Sequence, residues 1–216
     1  MSLVQGRYFI ARHGETVFNA TRRMQGDATY TPLTRAGFAQ ADAMGDALRA
    51  QLGARPALTL WASPTGRALQ TLAVIAEHLG LDWHRAATDA RLGEMDMGAW
   101  GGQLYGEILS ATGSFYDAET GLFTRRPPGG EWYDDVALRL LTWLGDTAAM
   151  GGDRLIVMHG LSSRVLRGIL LGLEPDPTCR APLAPGLPQG SVVCIEGGRE
   201  ILLARGTGGF GVSAPA

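Results

Sequence analysis

Two short apolar runs, Tyr8-Phe9-Ile10-Ala11 and Leu155-Ile156-Val157-Met158, each stop abruptly at a histidine-glycine pair: His13-Gly14, preceded by Arg12, and His159-Gly160. Runs this short, bounded by polar residues and glycine, read as strands buried on both faces. Such strands belong to sheets that helices cover on both sides, and those sheets bind ligands just outside the carboxyl ends of their strands. The same few residues therefore set a fold class and put titratable groups where a ligand would sit.

The segments between the strands supply the covering layers. From Thr34, a good N-cap, to Leu52, the residues Ala41, Met44, Leu48 and Leu52 recur at helical spacing. Residues 57–62 read as a second strand, halted by Ser63-Pro64, and a helix follows whose apolar stripe is Leu69, Leu72, Ala73, Ala76 and Leu79. Residues 81–130 are irregular, with helical potential over 104–110, and read as an excursion over the active face. Val136, Leu140, Leu144 and Ala148 then mark a helix over 134–149. A helix over 161–171, a proline-rich loop over 176–190 and two strands, 191–195 and 200–204 around Gly197-Gly198, complete the pattern. The expected architecture is one three-layer α/β/α domain over residues 1–206 with a mostly parallel central sheet, followed by a flexible tail at 207–216.

With 216 residues, of which 45% are hydrophobic and 19% charged, the chain has apolar matter for a one-domain core. All 19 basic residues are arginine. Lacking lysine, the chain has no P-loop, no kinase-type strand lysine and no Schiff base, so Arg, His or backbone N–H must hold any phosphate. A net charge of -2 with no dense basic run gives no electrostatic footprint for nucleic acid or an anionic membrane. Cys179, Cys194 and the four scattered histidines form no local metal-binding spacing. No apolar run approaches the ~20 residues of a membrane span and no leader-like segment opens the sequence, so the expected location is the cytoplasm.

The polar groups at the strand ends converge: Arg12 and His13 after the first, Arg67 on the first helical turn after the second, and His159 after the last. Guanidinium forks match phosphate oxygens, and the helix starting near Thr65 is expected to aim backbone N–H groups at the same anion. A phosphate dianion among three or four cationic groups needs no divalent metal for neutralisation. A neutral imidazole can attack the charge-compensated phosphorus, so one histidine is a candidate nucleophile. The leaving alkoxide calls for a carboxylic acid, with Glu94 and Glu15 as candidates.

Arg12-His13-Gly14-Glu15-Thr16 followed by Asn19 resembles the opening motif of the histidine phosphatase superfamily, the phosphoglycerate mutase-like proteins. Further blocks are similar in the same order: Gln25-Gly26, Pro32-Leu33-Thr34, Ser63-Pro64 through Thr71, Leu92-Gly93-Glu94-Met95, Pro128 to Glu131, and His159-Gly160 with Arg164. Ordered blocks over most of the chain are far more specific than an isolated tripeptide. The resemblance implies that His13 accepts a phosphoryl group, that Arg12, Arg67 and His159 bind its oxygens, and that Asn19 positions the substrate phosphate. It also implies that Glu94 protonates the departing oxygen and then takes a proton from the attacking water, with no metal or cofactor.

Met97-Gly98 stands where the family's mutases carry Tyr-Gly, no lysine exists, and an insertion after the double arginine is missing. The expected reaction is therefore hydrolysis of a small-molecule phosphomonoester. Mutase-type transfer to a second hydroxyl is the alternative, and a non-catalytic phosphate-binding or regulatory protein is the alternative of another class. Thr16, Gln25, Gly26, Tyr30 and Trp132 are the expected substrate-pocket residues, with Phe115 adding to an aromatic mouth. Arg164 is expected to brace the sheet. The pairs Arg22-Arg23 and Arg125-Arg126 read equally as contacts to a second anionic group or as surface charge.

Overall fold

The computed structural model describes residues 6–209. Strands β1 (Tyr8–Arg12), β2 (Leu58–Ala62), β3 (Ala87–Thr88), β4 (Asp153–Met158), β5 (Val192–Glu196) and β6 (Arg199–Ala204) form one sheet in the order β3-β2-β4-β1-β5-β6. β1 to β4 are mutually parallel, β5 pairs antiparallel with β1, and β6 pairs antiparallel with β5. The helices are α1 (Val17–Ala20), α2 (Arg35–Leu52), α3 (Gly66–Leu79), α4 (Tyr105–Thr112), α5 (Tyr133–Thr147) and α6 (Gly160–Leu171). None is long and apolar enough to cross a membrane.

Alternate residues of the central strands enter opposite layers. Phe9, Ala11, Leu155 and Val157 pack with Met44, Leu72 and Ile75 of α2 and α3. Tyr8, Ile10, Ile156 and Met158 pack with Val136, Leu140, Trp143 and Val165 of α5 and α6. Both faces are buried, which is why these runs are continuously apolar, and the arrangement is the expected three-layer α/β/α fold. The two-residue β3 and the one-turn α1 gave no periodic signal because neither is long enough to show a period. The irregular excursion is anchored from beneath: Leu92, Met95, Trp100, Phe115 and Phe123 all join the core on the α5/α6 side.

Residues 207–209 of the segment read as a tail lie against the domain. Gln40 Nε2 donates to Thr207 Oγ1 at 3.4 Å, and Gln189 N–H donates to the Gly209 carbonyl at 3.2 Å. Residues 210–216 lie outside the described residues.

The loop after β1 docks on the first turn of α2. Thr34 Oγ1 accepts from Gly37 N–H at 3.1 Å, capping the helix, and donates to Glu15 Oε1 at 2.7 Å. A Cβ on Gly37 would fall 2.1 Å from the Glu15 carbonyl oxygen, and one on Gly14 would fall 2.2 Å from the Gly37 carbonyl oxygen. The two glycines thus let the histidine-bearing loop and α2 touch backbone to backbone. Gly37→Ala is expected to cost about 1–3 kcal/mol through overpacking, seen as a lower urea midpoint. Unfolding at the wild-type midpoint would contradict this contact.

Candidate active site

β1 hands its polar end to the neighbouring strands. Arg12 N–H donates to the Ser191 carbonyl at 2.9 Å and His13 N–H to the Met158 carbonyl at 3.0 Å, fixing both residues where β1, β4 and β5 meet. His13 is buried, and its Nδ1 lies 2.7 Å from the Gly14 carbonyl oxygen. A carbonyl only accepts, so the neutral ring carries its proton on Nδ1 and keeps a lone pair on Nε2. His159 is the N-cap of α6 at the end of β4, its ring centroid 5.2 Å from that of His13. Its Nδ1 accepts from Arg67 Nε at 3.2 Å, and a guanidinium only donates, so here the proton is on Nε2. The neighbouring rings hold opposite tautomers: one offers a lone pair, the other an N–H.

Burial, then the charges of Arg67 and Arg12, hold the His13 pKa well below its ordinary value. Burial and the Arg67 charge do the same to His159. Burial lowers Arg12 and Arg67 to about 10, so both remain cationic at neutral pH. Arg12 Nη1 donates to the Leu187 carbonyl at 2.5 Å. Arg12 Nε and His159 Nε2 are buried with no hydrogen-bond partner among the described residues. Such unpaired donors are costly in a folded protein and suit a site that binds an anion. Gly160 leaves room for the guanidinium, because a Cβ there would lie 3.2 Å from Arg12 Cζ.

Arg67 has a different setting. It is fully buried, with Nη1 donating to the Ala28 carbonyl and Thr31 Oγ1 and Nη2 donating to the Gly26 carbonyl. It ties His159 to the 26–31 loop and is absent from the cavity lining. The first N–H of α3, expected to aim at the anion, is engaged by a loop carbonyl: Gly66 N–H donates to Thr29 O at 2.8 Å.

Glu94 lies in the cavity with Arg12 and His13, whereas Glu15 faces Thr34 and stays outside that lining. Two N–H groups at the start of α6 hold the Glu94 carboxyl: Leu161 N–H donates to Oε2 at 3.0 Å and Ser162 N–H to Oε1 at 2.9 Å. Arg139 of α5 grips the same loop, donating to the Gly93 and Glu94 carbonyls at 3.0 and 3.1 Å while pairing with Glu131. Its positioning role was not read from the sequence. The available signal was a cation between Val136 and Trp143, on the stripe that packs into the core.

The cavity measures about 730 Å³ and opens from Arg12 and His13. Asn19, Gln25 and Gly26 are in its lining. Thr16 stands behind them, fully buried, with N–H on Asn19 Oδ1 at 3.0 Å and Oγ1 on Gln25 Oε1 at 2.6 Å. The expected aromatic mouth is not formed. Tyr30 is 93% exposed on the surface, while Trp132 and Phe115 are buried in the core, Trp132 as the N-cap of α5. The apolar wall comes instead from Met24, Met97, Tyr105, Phe123 and Leu187, mostly from the aperiodic stretches 81–130 and 176–190. Arg164 braces loops rather than the sheet: Nε donates to the Ala184 carbonyl at 2.9 Å and Nη1 to the Thr120 carbonyl at 2.8 Å. Among the described residues, no group of three or more His, Cys, Asp or Glu side chains is placed to hold a metal.

A neutral imidazole is buried beside two cationic guanidinium groups, at the carboxyl ends of a sheet covered on both faces, where sheets of this kind bind their ligands. Comparison with known proteins carries this to a family. The chain belongs to the histidine phosphatase superfamily (branch 1), whose family model matches residues 8–204. It is 34% identical over 179 residues to the probable phosphoglycerate mutase GpmB of Yersinia enterocolitica, covering 81% of this chain and 79% of that protein. It is 32% identical over 200 residues to glucosyl-3-phosphoglycerate phosphatase of Mycolicibacterium vanbaalenii, covering 88% and 84% respectively. The structure of a mycobacterial glucosyl-3-phosphoglycerate phosphatase with VO3 is similar at a TM-score of 0.72 and 27% identity, covering 94% of this chain and all of that one.

The depressed imidazole pKa values have a consequence for stability. Unfolded histidine titrates near ~6.5, while the folded rings refuse the proton, so below that pH the unfolded chain binds more protons than the native one. Stability contributed by the neutral rings is complete above ~6.5 and is lost as pH falls from there towards the lower folded values. Urea unfolding at pH 7.5 and 5.5 should show a loss that shrinks by about 1 kcal/mol in His159→Asn. Equal losses in variant and wild type would contradict the assignment.

Proposed function

We propose that the chain hydrolyses a small-molecule phosphomonoester in two displacements at phosphorus, with His13 as the transient phosphoryl acceptor. The observation that carries this reading is the buried His13 ring, neutral and with its Nε2 lone pair available beside two cationic guanidinium groups. In the first step Nε2 attacks phosphorus, the ester P–O bond breaks, and its electron pair leaves on the alcohol oxygen, which takes a proton from the Glu94 carboxylic acid. In the second step the Glu94 carboxylate removes a proton from water, the water oxygen attacks phosphorus, and the P–N bond breaks to restore the lone pair on Nε2. The Arg12 guanidinium and the His159 Nε2–H supply donors to the phosphoryl oxygens, with Asn19 beside them. Arg67 holds the His159 tautomer that donates and adds positive charge.

The likeness to a probable phosphoglycerate mutase favours a second fate, return of the phosphoryl group to another hydroxyl. Hydrolysis is preferred because buried Met97 supplies an apolar wall where the family's mutases resemble one another in a tyrosine, and because the chain has no lysine to hold a second acidic group. A purely binding role fits less well, since His13 and Glu94 line one cavity. This reading places the enzyme in the cytoplasm, where the buried Cys179 and Cys194 stay as thiols.

Hydrolysis of p-nitrophenyl phosphate should survive excess EDTA and fall at least roughly 1,000-fold in His13→Ala. Glu94→Gln should lose roughly 100-fold or more on alkyl phosphates and much less on p-nitrophenyl phosphate, whose leaving group needs no proton. Retention of substantial rate by His13→Ala would overturn the assignment. An equal Glu94→Gln defect on both substrates would remove Glu94 as the acid.

A further inference from the structure

Beyond its phosphate end, the cavity differs in chemistry from a site for a doubly anionic substrate. Its volume of about 730 Å³ far exceeds what a phosphoryl group fills, and Met24, Met97, Tyr105, Phe123, Leu183 and Leu187 form an apolar wall within the remainder. The acidic side chain there that the mechanism does not use, Glu119, is poorly suited to a second anion. Arg164 is the cation beyond Arg12, but it is 8% exposed and two of its nitrogens are occupied by the Ala184 and Thr120 carbonyls. Arg22, Arg23, Arg125 and Arg126 are absent from this lining. Arg23 and Arg125 reach the Gly102 and Thr112 carbonyls, and Arg126 pairs with Asp135. The Tyr105 phenol, pushed up to about 12 by burial, stays uncharged.

We propose, resting on the hydrolase reading above, that the substrate's leaving alcohol is bulky, apolar and uncharged, carrying no second phosphate or carboxylate. A leaving group of that kind gains by covering the apolar wall, whereas a carboxylate there would lose its water and face Glu119, with Arg164 already donating to the Ala184 and Thr120 carbonyls. The phosphate supplies the substrate's negative charge, and the alcohol supplies shape.

The test compares 2-phenylethyl phosphate, glycerol 3-phosphate and 3-phosphoglycerate, which all leave as primary alkoxides, so that leaving-group acidity does not decide the result. The expected kcat/KM is at least tenfold higher for 2-phenylethyl phosphate, with the difference mainly in KM. Leu183→Arg, which puts a cation into a partly exposed part of the wall, should narrow or reverse the gap to 3-phosphoglycerate. A wild-type enzyme that handles 3-phosphoglycerate as well as the phenylethyl ester would overturn the proposal, as would an Arg164→Gln variant that loses 3-phosphoglycerate alone. If neither these esters nor p-nitrophenyl phosphate is turned over, the hydrolase reading fails separately. Calorimetric binding of the same three esters to His13→Ala then still decides the ligand class, with tightest binding of 2-phenylethyl phosphate expected and tightest binding of 3-phosphoglycerate contradicting it.

Discussion

Burying two guanidinium groups against two imidazoles is unfavourable, and much of the chain is arranged to make it tolerable. Among the described residues no carboxylate is hydrogen-bonded to Arg67, and the carbonyls of Gly26 and Ala28, the Thr31 hydroxyl and His159 accept its donors instead. The 26–31 loop therefore serves as a ligand shell for a protein cation. Burial, and after it the charges of the guanidinium groups, keeps both rings neutral. Neutrality is what an attacking histidine requires, so the feature that strains the fold is the one on which the proposed chemistry depends.

The same device recurs around the cavity and gives the all-arginine composition a physical reading. Arg12 holds the Leu187 carbonyl, Arg164 the Thr120 and Ala184 carbonyls, and Arg139 the Gly93 and Glu94 carbonyls. A guanidinium has five donors in a rigid fork and can tie two separate loops to one helix while keeping its charge, which an ammonium on a flexible stem does poorly. Four arginines thus fasten aperiodic segments to a periodic scaffold. Glu94, carried on one of those segments, is held from both sides, by Arg139 through its backbone and by the first N–H groups of α6 through its carboxyl.

What was legible in the sequence follows the division between scaffold and loops. Tyr8 to Ala11 and Leu155 to Met158 are apolar because both faces are buried, and the groups that follow them, Arg12, His13 and His159, meet because parallel strands end together. Arg67 was legible as a site residue, but its use as an internal tether depends on carbonyls whose direction no residue pattern encodes. The cavity wall was read wrongly for a related reason. Tyr30 and Trp132 sit near the motifs in sequence, yet one points to solvent and the other caps a helix from within the core. Phe123 and Leu187 reach the cavity through loop packing, where neither a period of 2 nor one of 3.6 marks which side faces the ligand.

In the proposed mechanism the neutral Nε2 of His13 receives the phosphoryl group from the ester. Rapid-quench labelling with a ³²P-phosphomonoester, followed by peptide mapping, tests it most directly. The expected result is a transient, acid-labile and base-stable label on the peptide containing His13, formed at the rate of alcohol release. Release of alcohol with no such label, or a label on another residue, would contradict it.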